Sequence, residues 1–272
     1  MIFDLFNLGM FVVLGSIAGF LGGLIGIGGG LVLVPGLYYV FVHAGIAPGQ
    51  EMWLTLGTAM AGMLFTAASS VVTHLNYNII RLDVVRRLAA WVAIGTVVGA
   101  ILATRLDPGL VKIGFAAFCV YSATRMLFFS KARVGTGANP IESAKLQAPG
   151  MFFGLVCGLM GIGGANLFVP YLMARSLDIR HAMATASALQ IPIAIIGTIS
   201  YMGLGMSKNT PAWAVGYVYL PALLVVASTS ILAARIGVRV SHKLPISALK
   251  KLFGIVAAIG GLKMAGAFSF FL

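Results

Sequence analysis

Residues 19–35 read GFLGGLIGIGGGLVLVP, and residues 154–170 read GLVCGLMGIGGANLFVP. Aligned without gaps, Gly19, Gly23, Gly26, Ile27, Gly28, Gly29 and Pro35 meet Gly154, Gly158, Gly161, Ile162, Gly163, Gly164 and Pro170. Such agreement half a chain apart points to a duplicated unit. Further on, Thr58 in LGTAM aligns with Thr185 in MATAS, and ILATRL ending at Leu106 resembles ILAARI ending at Ile236.

The composition around these segments belongs to a chain dissolved in lipid. Of the 272 residues, 60% are apolar and only 9% charged, with a mean hydropathy of +1.03. A soluble domain carries about 25% charged residues. Here apolar stretches of about twenty residues, enough to cross a bilayer, recur along the chain. No stretch between them is long enough to fold alone. A net charge of +12 is no sign of a nucleic-acid partner, because of where it sits. The first 80 residues hold no Lys or Arg, and the basic residues then cluster in short loops between spans. That is how a membrane protein anchors its cytoplasmic face. Cys119 and Cys157 lie inside apolar spans without zinc-like spacing and read as packing residues. The start, MIFDLFNLGM, lacks a basic n-region and reads as the beginning of the first span. No cofactor or metal is expected; the expected partners are a small solute and membrane lipid.

The duplication divides the chain into a first repeat (1–129), a polar cytoplasmic linker (130–148) and a second repeat (149–272). Each repeat should hold the glycine-rich element and three ordinary spans. These are expected at 54–74, 88–104 and 110–129, and again at 181–203, 212–234 and 248–270. The apolar stretch 8–42 is too long for one span, and GIGGG in its middle disfavours helix. It is therefore a helical hairpin or a single broken helix. With hairpins in both repeats, 14 Lys and Arg face the cytoplasm and four face outward; with broken helices the division is nine to nine. The positive-inside rule selects the hairpins. Each repeat then has an odd number of segments, and the two insert in opposite senses. The expected fold is an all-α polytopic protein of two inverted repeats with eight to ten membrane segments. Both termini are expected on the periplasmic side. In such folds the substrate site lies at the repeat interface near the midplane.

The paired segments GGLIGIGGGLVLVP and CGLMGIGGANLFVP, each followed by a Thr-containing helix, resemble the sulfite exporter TauE/SafE family across essentially the whole chain. The resemblance implies outward transport of sulfite, sulfoacetate or a related organosulfur anion across the bacterial inner membrane. Composition and spacing do not by themselves indicate that substrate class.

The residues themselves suggest where an anion would sit. Helix N-termini offer unpaired N–H groups and partial positive charge, and successive glycines let amides converge as a nest. The candidate turns comprise Gly26, Gly28, Gly29 and Gly30 in one repeat, and Gly161, Gly163, Gly164 and Ala165 in the other. Asn166, whose counterpart is Leu31, adds the first polar side chain beyond the second turn. Thr58, Thr185, Ser187 and Gln190 lie on the helices that follow and are further candidates. Blander roles compete with each of these. Glycine runs also serve helix packing, and Ser or Thr in lipid also bonds its own helix. His74 and His181 are expected at solvated span ends, and Arg125 is expected to snorkel. No carboxylate is expected mid-membrane, where coupled transporters commonly keep one. No nucleophile–base pair suggests an enzyme. A passive anion channel and a membrane scaffold or assembly factor are the remaining alternatives.

Overall fold

The computed structural model describes residues 4–26, 28–46, 49–128 and 146–241, and within the last part 243–244, 254–255, 258–262 and 264. The first half forms α1 (Leu5–Ile25), α2 (Gly30–His43), α3 (Glu51–Leu75), α4 (Leu82–Arg105) and α5 (Pro108–Phe128). The second forms α6 (Gln147–Met160), α7 (Ala165–Ala174), α8 (Ile179–Gly205), the short strands β1 (Ala214–Val215) and β2 (Val218–Tyr219), and α9 (Leu220–Ser241). Among the described residues, α1, α3, α4, α8 and α9 contain segments long and apolar enough to cross a membrane, and shorter apolar helices accompany them. The fold is an all-α polytopic membrane protein.

Both glycine-rich elements fold back on themselves. Gly26, left-handed at φ 77°, ends α1, and Gly161, at φ 66°, ends α6. Across the first turn the Phe11 and Phe41 rings lie 6.4 Å apart, Leu14 covers Gly36, and Ala18 meets Gly29. Across the second, Phe153 lies 5.1 Å from Phe168 and 5.4 Å from Tyr171, and Cys157 Sγ backs onto Gly164. Antiparallel contacts of this kind exclude a single broken helix in either half. At 1.5 Å per residue, α2 extends about 21 Å and α7 about 15 Å, short of a core about 30 Å thick.

In lipid, helices associate through close packing rather than the hydrophobic effect, so small residues mark the contacts. Gly15, Gly19 and Gly23 of α1 lie against Val226, Ser230 and Ala234 of α9. Gly150, Gly154 and Gly158 of α6 lie against Leu88, Val92 and Thr96 of α4. In return, Gly237 of α9 meets Phe20, and Gly99 of α4 meets Leu155. Both pairs run parallel, and both join a hairpin of one half to a helix of the other. At the centre, α3 and α8 cross antiparallel, with Gly57 beside Tyr201 and Gly197 beside Met60. Tyr201, fully buried, donates its hydroxyl to the Gly158 carbonyl at 2.8 Å.

These pairings correct two expectations. The span expected at 212–234 is α9, Leu220–Ser241, because β1 and β2 first form a tight hairpin with Ala214 opposite Tyr219. Val92 and Ser230 hold matching places against Gly154 and Gly19, so ILATRL and ILAARI do not occupy matching places in their helices. Most of the span expected at 248–270, and the linker except 146–148, lie outside the described residues.

The aligned threonines do the same work in the two halves. Thr58 Oγ1 accepts the Tyr219 N–H at 3.0 Å, immediately before α9 begins. Thr185 Oγ1 accepts the Arg81 N–H at 3.1 Å, immediately before α4 begins. Each hydroxyl satisfies an amide at a helix start, where the helix itself offers no acceptor. Thr58→Val and Thr185→Val should each lower stability by about 1–3 kcal/mol by orphaning that donor. Thr→Ser at either position should retain most of it. Thermal unfolding of the purified variants in detergent checks both expectations.

Candidate functional site

The two hairpin turns meet. A methyl group added to Gly30 would lie 2.9 Å from Ile162 Cα and 3.1 Å from the Gly161 carbonyl oxygen, so the backbones touch there. Met63 of α3 closes the same point, its Sδ 2.7 Å from that methyl position. The first turn is the more contorted, with Gly28 at φ 69° and Gly29 at φ 76° as well as Gly26. Side chains rarely adopt this left-handed region, and here three glycines supply it. In the second turn only Gly161 has positive φ, and Gly164 lies at −73°.

Helix starts inside the protein leave their first amides without intrahelical acceptors. Val32 and Leu33 donate to the Gly29 carbonyl at 3.0 and 2.9 Å; Leu167 and Phe168 donate to Gly164 at 2.9 and 2.8 Å. Upstream, the N–H groups of Gly28, Gly29, Gly30 and Leu31 find no acceptor among the described residues. The same holds for Gly163, Gly164, Ala165 and Asn166. All these residues are buried except the half-buried Asn166. Buried amides are nearly always paired, so two matched sets without acceptors, one in each of two turns that touch, set this place apart from the rest of the fold.

The polar side chains divide unevenly between the turns. Ser187 and Gln190 of α8 flank the first turn: Ser187 Oγ lies beside Gly26 while bonding Met183 O at 3.0 Å, and Gln190 Nε2 donates to the Gly26 carbonyl. Counted from the Thr58–Thr185 match, the corresponding residues on α3 are the apolar Met60 and Met63. Asn166 bonds the buried Ser122 of α5 through Nδ2 at 3.4 Å. Thr58 and Thr185 have their hydroxyls committed to the starts of α9 and α4. Ser122 and Met63 were not singled out from the sequence. Carrying the repeat alignment from Thr185 on to Gln190 would have reached Met63, whereas nothing in the sequence signals Ser122.

The described carboxylates lie elsewhere. Asp4 and Asp178 cap α1 and α8; Glu51, Asp83 and Asp107 lie at or beside the starts of α3, α4 and α5. Among the described residues no three His, Cys, Asp or Glu side chains cluster as metal ligands would. His181 is half-buried, but His74 is only 2% exposed, because it lies on the packed face of α3 while Val72 and Leu75 beside it are exposed; solvation does not explain it.

Comparison with known proteins agrees with this architecture. A family model described as sulfite exporter TauE/SafE matches residues 11–264. A Haemophilus influenzae protein named "Probable membrane transporter protein" is 35% identical over 91% of this chain and 95% of its own length. Proteins with names of the same form from Methanocaldococcus jannaschii and Bacillus subtilis are 26% and 27% identical, over 94% and 92% of this chain and 94% and 95% of their own. No solved structure matches. The chain therefore belongs to the sulfite exporter TauE/SafE family and is a multi-pass protein of a membrane transporter family.

Proposed function

We propose that this protein is a secondary transporter exporting a small sulfur-containing anion, such as sulfite, sulfoacetate or a related organosulfonate, across the bacterial inner membrane. The observation that carries the reading is the meeting of two hairpin turns whose buried amides lack acceptors among the described residues. Amides hold an anion without the cost of burying a cation in lipid. The binding set comprises Gly26, Gly28, Gly29, Gly30, Gly161, Gly163, Gly164, Ala165 and Asn166, with Ser187 and Gln190 beside the first turn. Thr58 and Thr185 support it by fixing α9 and α4. The sulfur chemistry of the substrate rests on the family's description alone.

Two inverted repeats, related by exchange across the α3–α8 crossing, are the arrangement we favour. The antiparallel run of α3 and α8 supports it, as does the parallel pairing of α1 with α9 and of α6 with α4. Alternating access would then part the turns first toward one side and then toward the other. Gly28→Ala and Gly163→Leu should each abolish transport in proteoliposomes while the protein still reaches the membrane. Asn166→Ala should weaken substrate binding by about 1 kcal/mol, the worth of one neutral hydrogen bond. Normal transport by both glycine variants would place the site elsewhere.

The inverted arrangement puts both termini in the periplasm. A reporter active only there, fused after Leu272, should be active, and a cytoplasm-only reporter should be silent. The reverse result would remove the inversion.

Direction follows from charge. With the cytoplasm negative, a leaving anion gains about 2.3 kcal/mol per charge per 100 mV. Among the described residues, the carboxylates sit at or beside helix starts and not at the turns, so no acidic coupling site adjoins the amides. Basic cytoplasmic loops would also concentrate anions where export begins. Efflux from proteoliposomes under a clamped potassium-diffusion potential should follow voltage. It should ignore a pH gradient at fixed substrate protonation; strict dependence on that gradient or on sodium would refute uncoupled export.

A further inference from the structure

We infer that Gln190 makes the first turn selective for an oxyanion that carries its own O–H group, over one whose oxygens are all deprotonated. This rests on the anion-binding reading above and narrows the substrate class within it.

The inference starts from a fixed side-chain orientation. Gln190 is 2% exposed, and its amide lies against the first turn. The Gly26 carbonyl can only accept, so the amide must present Nε2 to it, as it does. Rotating the amide by half a turn would set two oxygens against each other in a buried place. Oε1 is therefore directed at Gly28, the residue whose Cβ position it would overlap. It finds no donor there among the described residues. The oxygen is thus left to accept from outside the described residues, and at this position it borders the N–H groups of Gly28 and Gly29, which have no acceptor among them.

A ligand matching this surface must accept from several amides and donate once to Oε1. A singly protonated oxyanion does both. A sulfonate of the same size and charge brings only lone pairs and leaves Oε1 facing another oxygen. The corresponding residue of the other half, Met63, offers neither a comparable acceptor nor a donor, so the discrimination belongs to the first turn alone.

Methylphosphonate, at a pH where it is a singly protonated monoanion, and methanesulfonate test this directly. They share charge and shape and differ by one O–H. Uptake of each radiolabelled anion into proteoliposomes holding the full chain should favour methylphosphonate by about tenfold in kcat/KM. In Gln190→Met the ratio should fall close to one. The wild-type ratio is informative even if that variant fails to fold. Equal uptake of the two anions by the wild type overturns the selectivity and leaves the anion site standing. A preference that survives Gln190→Met shows that another group reads the O–H and overturns the role of Gln190. If neither anion is carried or competes with sulfite, the anion reading falls, and this inference with it.

Discussion

A chain in lipid cannot cheaply leave its backbone polar groups unpaired, and this protein breaks two helices in the interior of its fold. Everything around the turns answers that constraint. The returning limbs α2 and α7 are held antiparallel to α1 and α6 by ring contacts and by glycines under neighbouring side chains. The turns are then pressed together, with α3 and α8 packed around them. What stays without an acceptor among the described residues is a small set of amides at the point of contact. Satisfying them from outside the chain is the use we propose for them.

The two halves share one plan but not one surface. Gly26 and Gly161 end their helices in the same left-handed manner, and Thr58 and Thr185 clamp equivalent helix starts. Against the first turn, however, lie a serine and a glutamine, where the corresponding residues on α3 are methionines. The matching turns and threonine clamps are shared, and the side chains beside the turns differ from one half to the other.

Much of this was legible in the sequence, for a physical reason. Glycine runs in the middle of apolar stretches cannot continue a helix cheaply, so the hairpins announced themselves. Basic residues confined to some loops decided between a hairpin and a broken helix, and the antiparallel contacts bear the hairpin out. Position along a uniformly apolar span was much less legible. The start of α9 was placed too early because the strands before it are apolar as well. His74 was assigned to solvent because depth cannot be read from distance to a span end. The partners of Thr58, Thr185 and Gln190 are all distant in sequence, and no local pattern encodes such contacts.

The exchange of partners between halves also bears on how the protein is made. Gly15, Gly19 and Gly23 of α1, which is made well before α9, have their seats on Val226, Ser230 and Ala234. At synthesis rates of about 5–20 residues per second, α1 waits on the order of ten to forty seconds for α9. During that time its row of glycines faces lipid, and any helix with small residues in register is a competitor for the seat. The second hairpin faces no such delay, because α4 is already in the bilayer when α6 emerges. Biogenesis is therefore lopsided. The N-terminal hairpin is the part most exposed to mispairing, and a chaperone or insertase that shields glycine-lined helices would act there first.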